Sequence, residues 1–240
     1  MLSGVSCMDV IRQTVVGTVL AMFMAGCAGP SVGDSIAPSP VVLADTSAGR
    51  LPVSVFLTIG GYDRATRDHA LIDLNFAIDG HPVQFVAGET VICNGTQLKR
   101  FLGAFEAQFP IDDIAGKVMT CVYTSGGQTA ELSIPVPQKL QILSPRELDS
   151  IPRGSKTVVV FNAPPHGSLR VGALSTQMKA FAEPDPETST QAGLDTSGFQ
   201  PGSGTISLTE ELDRLPVQAP AFRSAVGRAQ LMTMIQVTWV

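Results

Sequence analysis

Residues 71–86 read LIDLNFAIDGHPVQFV. Ile72, Leu74, Phe76 and Ile78 alternate with Asp73, Asn75 and Ala77, the period of two that a strand with one buried face requires. Asp79-Gly80 follows at once, and HPVQFV then resumes an extended pattern. An Asp-Gly pair between two such runs is the strongest short-range hairpin signal, because both turn positions take positive φ. The stretch decides the fold class: strands joined by tight turns.

Working outward, PVSVFLTIG (52–60) alternates at Val53, Val55, Leu57 and Ile59. Downstream, ETVIC runs into Asn94-Gly95, a second hairpin signal. FEAQFPI, KVMTCVYTS and TAELSIPVP supply further strands, with Gly126-Gly127 as the turn between the last two. About seven short strands in this span predict a β-sandwich. One segment departs from the pattern. Leu98, Phe101, Leu102 and Phe105 stand at helical spacing and predict a short helix or turn across the sandwich edge.

A second unit opens with LQILSPRELDSIPRGSKTVVVFNA (140–163), a strand ending at Ser144-Pro145, a loop, and a β-branched strand. GSLRVGALS (167–175) follows as a third. Residues 183–203, EPDPETSTQAGLDTSGFQPGS, read as one long polar loop. GTISLTEEL and QLMTMIQVTWV close the unit, the latter placing Leu231, Thr233, Ile235, Val237 and Trp239 on one face. Trp239, on that apolar face, is expected in the core.

Composition agrees. The chain is 44% hydrophobic and 15% charged, with 23 Gly and 17 Pro; sustained helical stripes are absent, which favours an all-β class. The net charge is −5, and removing residues 1–26 takes away one Asp and one Arg, leaving it unchanged. Scattered cations in a mildly acidic chain give no footprint for nucleic acid.

The N-terminus fixes the expected address. Thr14 to Ala25, TVVGTVLAMFMA, is apolar or weakly polar, follows Arg12, and is too short to span a bilayer comfortably. It ends in Met24-Ala25-Gly26-Cys27, which resembles the lipobox of bacterial lipoproteins. The resemblance implies cleavage before Cys27, acylation of its thiol and a stable membrane anchor, since each buried CH₂ contributes ~0.8 kcal/mol. In such lipoproteins a residue other than Asp after the cysteine, here Ala28, implies sorting to an outer membrane where one exists. The alternative is an ordinary secretory signal with Cys27 incidental. AGPSVGDSIAPSPVVLADTSAG (28–49) is rich in Pro, Ser, Gly and Ala without apolar periodicity, as tethers are.

Cys93 and Cys121 remain as an even pair in an exported chain, most simply a disulfide with Cα atoms roughly 4.4–6.8 Å apart. Free buried thiols or a reactive cysteine are the alternatives. GKVMTCVYTSGG around Cys121 resembles the penultimate strand of an immunoglobulin-like domain, with Met119 where a corner tyrosine would stand. The 28-residue spacing and the absence of a Trp between the cysteines depart from the standard bridge between sheets, so the resemblance implies the sandwich architecture alone.

The expected organisation is a signal peptide (1–26), a lipid anchor and linker (27–50), and two tandem immunoglobulin-like β-sandwiches (51–137 and 138–240). His69 and His81, with Asp63, Asp68 and Asp73 nearby, match no metal-ligand spacing and read as solvated loop residues. Nucleophile-elbow, phosphate-loop, dinucleotide and zinc-protease motifs are missing. The expectation is a non-catalytic envelope interaction or spacer module without metal or cofactor, anchored to the membrane, with an envelope protein or glycan as partner. A hydrolase using acidic loop residues is the alternative.

Overall fold

The computed structural model describes residues 41–42, 47–61, 66–79, 81–85, 87–101, 103–154, 156–184 and 188–240. The lipobox, Cys27 and most of the linker lie outside the described residues, as does Asp63.

The first sandwich is built from β1 (Val41–Val42), β2 (Pro52–Ile59), β3 (His69–Asn75), β4 (Ala77–Ile78), β5 (His81–Gln84) and β6 (Thr90–Cys93). It continues through β7 (Thr96–Gln97), β8 (Lys99–Phe101), β9 (Ala104–Pro110), α1 (Ile111–Ile114), β10 (Val118–Ser125) and β11 (Gln128–Pro135). Strands β2-β3-β9-β8 lie side by side in one layer and β11-β10-β6-β7 in the other. Read in chain order, these are the A-B-E-D and G-F-C-C′ layers of an immunoglobulin-like sandwich. The alternation seen in sequence is what fills it: Val53, Val55, Leu57 and Ile59 of β2 and Ile72 and Leu74 of β3 are all buried, with Phe76 just beyond. Phe76 meets the rings of Phe85, Phe105, Tyr123 and Phe222 at centroid distances of 5.1, 6.0, 5.7 and 6.2 Å.

The helical spacing around Leu98 misleads. Lys99–Phe101 is strand β8, paired antiparallel to β9. Leu98 and Phe105 are buried while Phe101 is half exposed. The helix stands instead at Ile111–Ile114, between β9 and β10. Ile111 and Ile114 plug the core there, and Lys117 Nζ donates to the Asp112 and Asp113 carbonyls at 3.2 and 2.8 Å, where a helix end favours a cation.

The second sandwich comprises β12 (Ile142–Ser144), β13 (Ser150–Ile151), β14 (Thr157–Phe161), β15 (Ser168–Leu174), β16 (Lys179–Ala182), β17 (Gln191–Leu194), β18 (Gly202–Leu215) and β19 (Ser224–Trp239). Its layers are β12-β14-β17 and β16-β15-β18-β19, with β13 parallel to the end of β19. That is again an immunoglobulin-like order, A-B-E against C′-C-F-G. The polar stretch 183–203 is therefore not one loop, because it contains β17, whose Ala192 and Leu194 enter the core.

The two sandwiches succeed each other along the chain, yet they are not independent beads. The β18–β19 hairpin is longer than the second sandwich, and its distal half is built into the first. Ser224 to Leu231 of β19 pair parallel with Pro52 to Ile59 of β2. At the tip, Ser133 and Gln218 exchange two backbone hydrogen bonds of 2.8 and 2.9 Å. One sheet thus runs continuously from β16 to β8.

The inward side chains of the hairpin change with this role. Leu215, Phe222, Ala229 and Leu231 belong to the first core, and Ile206, Leu208, Val237 and Trp239 to the second. Between them lies a polar belt. Glu210, 2% exposed, accepts hydrogen bonds from the backbone N–H groups of His166 and Gly167, and the Thr233 hydroxyl donates to the Leu140 carbonyl. A buried carboxylate must be hydrogen-bonded to be tolerated, and here it caps the turn before β15.

Candidate functional site

Cys93 in β6 and Cys121 in β10 stand directly opposite each other in the same sheet and form a disulfide, with Cα atoms 4.0 Å apart. The separation is below the usual ~4.4–6.8 Å because the cysteines face each other at a non-hydrogen-bonded position, where strands bring Cα atoms closest; Asn94 N–H donates to the Thr120 carbonyl one pair further on. The bridge staples two strands of one layer, unlike the inter-sheet bridge of antibody domains. Both cysteines are fully buried, so the pair is structural. Replacing both by Ala should lower stability by roughly 3 to 4 kcal/mol. Urea titration would measure this, and a midpoint equal to the parent's would leave the bridge without a structural role.

Two ionisable clusters occupy the first sandwich. Buried Glu89 accepts from the Tyr123 and Ser125 hydroxyls at 3.0 and 3.1 Å and lies 3.6 Å from Arg100. The Arg100 guanidinium covers Phe85 and Phe105 at 5.2 and 5.4 Å. Each group is engaged by its neighbours, and the cluster closes one end of the core.

On the outer face, Asp73 lies between Phe56 of β2 and Glu106 of β9. Burial, and secondarily the Glu106 charge, push its carboxyl up to about 6. Asp73 therefore holds its proton more tightly folded than unfolded, and stability falls as pH rises from about 4 to about 6. Asp73→Asn should stabilise the protein by about 1–2 kcal/mol at pH 7, after allowance for partial solvent screening, and by little below pH 4. Melting curves across pH 3.5–8 test this; a pH-independent gain would rule out titration of Asp73 as the cause.

His69 and His81 open β3 and β5 and are exposed. Among the described residues no group of three or more His, Cys, Asp or Glu is placed to hold a metal.

A further concave feature among the described residues lies on the outer face of the second sandwich: a groove of about 1110 Å³ across β16, β15, β18 and the middle of β19. Register aligns its floor in rows. Phe181, Gly172, Ser207 and Met234 form one row, and Lys179, Leu174, Thr205 and Gln236 the next. Gly172 has a specific role. A Cβ there would sit 3.3 Å from the Phe181 ring and 3.0 Å from the Ser207 hydroxyl, so its absence lets the ring lie against the sheet. Phe181 is 62% exposed and Leu174 41%. The charged residues lining the groove are two cations, Arg170 and Lys179, and two carboxylates, Glu183 and Glu211. Arg170 pairs with Glu183 at 3.4 Å, and the Gln230 amide donates to Glu211 at 3.4 Å. The site is therefore neutral overall, with hydroxyls and amides around one aromatic ring. Sequence reading missed it: each residue stands on the outward side of its own strand and becomes a neighbour of the others only through four-strand register.

No family model matches the chain, and no curated protein matches it. Among solved structures it is similar to a fragment of the titin I-band, at 8% identity and a TM-score of 0.29 over 80% of this chain and 64% of that one. A second titin fragment aligns at 10% identity and a TM-score of 0.24, over 81% of this chain and 97% of that one. A fragment of a bacterial ice-binding adhesin aligns at 14% identity and a TM-score of 0.24, over 80% and 65%. The chain spans less than two thirds of the length of the titin I-band fragment and of the adhesin fragment. At these scores the immunoglobulin-like character rests on strand order and register.

Proposed function

We propose that this protein is an envelope lipoprotein, held to the membrane by lipid on Cys27, whose joined sandwiches form a non-catalytic interaction module. The single observation supporting a binding role is the groove on the outer face of the second sandwich, which presents an exposed aromatic ring and side-chain hydroxyls and amides to solvent. The anchor in this reading is the lipobox cysteine, Cys27. The linker after it is rich in Pro, Ser and Gly, the composition of a tether.

Cys27→Ala should abolish labelling by a palmitate analogue and leave an uncleaved precursor; undiminished labelling would overturn the anchor. A photo-crosslinking residue at position 181 should trap an envelope component in intact cells, while one at Phe101, exposed on the first sandwich, should not. Identical outcomes at the two positions would count against the groove as the binding site.

A further inference from the structure

Resting on the reading of the groove as the binding site, we propose that its ligand is an uncharged glycan chain, recognised by side chains on the sheet face. The geometry excludes backbone recognition there. β15 is paired on one side with β16 and on the other with β18, and β18 with β15 and β19. Their N–H and C=O groups lie in the plane of the sheet and are used in these ladders. An extended peptide gains its affinity from such backbone groups and would dock along the outer edge of β16, beside the groove. A ligand lying on the face meets only what projects from it.

What projects has the chemistry of a sugar's complement. Thr205 and Ser207 each offer a hydroxyl that both donates and accepts, and Gln236 an amide that does the same. Sugar hydroxyls need partners of both kinds. The Phe181 ring, laid over Gly172 and open to solvent, supplies an apolar plate for the C–H face of a pyranose. The charges cancel: Arg170 and Lys179 are matched by Glu183 and Glu211, and Arg170 is tied to Glu183. An anionic polymer would find no net attraction, and an acyl chain would strip water from hydroxyls and amides without replacing it.

The test uses the full mature protein in detergent and, as probes, hexamers of neutral hexoses and of N-acetylhexosamines, titrated by calorimetry. The proposal expects saturable binding of at least one oligomer. Phe181→Ala should weaken it about tenfold or more, Ser207→Lys should abolish it, and Phe101→Ala should leave it unchanged, with all three variants melting like the parent. Binding that survives both groove substitutions overturns the proposal, and so does the absence of binding to every probe. If crosslinking from position 181 then still traps a component, the groove remains the binding site and only the ligand class is wrong; if the trapped component is a protein, peptide recognition replaces the glycan. Failure of both the titration and the crosslinking removes the binding reading itself.

Discussion

Residues 51–137 produced alone, without the rest of the chain, are expected to fail to fold cooperatively. Their span contains a full set of immunoglobulin-like strands, but not their full core. Leu215, Phe222 and Leu231, all from the C-terminal hairpin, are buried in it, with Phe222 6.2 Å from Phe76 and 6.0 Å from Tyr123. Each such side chain contributes about 1.5–3 kcal/mol on burial, so the three together contribute roughly 5–9 kcal/mol. That is the size of a whole domain's net stability, about 5–15 kcal/mol. The fragment also bares the edge of β2 along all eight residues that pair with β19, a template for aggregation. Circular dichroism and a thermal melt of the fragment would decide the matter. A sharp transition within a few degrees of the parent's would show that the hairpin is an accessory.

Trp239→Ala should destabilise the second sandwich by about 3–5 kcal/mol, the range for removing a buried aromatic side chain. Trp239 is fully buried, meets Phe199 edge to face at 5.0 Å, and donates from Nε1 to the Leu174 carbonyl at 3.1 Å. Trp239→Phe should cost less, because it keeps most of the apolar contact and loses chiefly the donor, worth about 1–3 kcal/mol when the partner stays buried. The site is shaped for the indole by a residue with no side chain. A Cβ on Gly204 would lie 1.9 Å from Nε1 and 2.5 Å from the Leu174 oxygen, so Gly204→Ala should mimic a large part of the tryptophan loss. Guanidinium titrations of the three variants give the order; a Trp239→Ala change below 1 kcal/mol would contradict this account of the core.

The strands that sequence reveals are those whose inward residues are large. β2 and β3 announce themselves because Val, Leu or Ile recurs at nearly every second position, β10 through Met119, Cys121 and Tyr123, and the end of β19 through Leu231, Ile235, Val237 and Trp239. The distal half of β19 does not, since its inward residues are Ala225, Gly227 and Ala229. They must be small: a Cβ on Gly227 would meet the Leu215 carbonyl at 2.6 Å and the Val217 side chain at 2.6 Å. Close packing thus erases the hydrophobic period that would have disclosed the strand joining the two sandwiches. β17 was hidden for a related reason, since only Ala192 and Leu194 of its four residues face inward amid a polar run. The disulfide was legible as an even pair of cysteines in a chain expected to be exported, whereas its placement within one sheet needed the register of β6 with β10.

The parallel union of β2 with β19 also sets how the body responds to load. The first long strand of the described chain and the last lie side by side and point the same way. Tension entering at Pro52 and leaving at Val240 therefore drags them past one another along their common axis. All eight register pairs are sheared together, and none can be peeled open ahead of the others. An antiparallel hairpin pulled at its two free ends would unzip one pair at a time at far lower force. Along the line from Pro52 to Val240 the two strands thus resist as a unit.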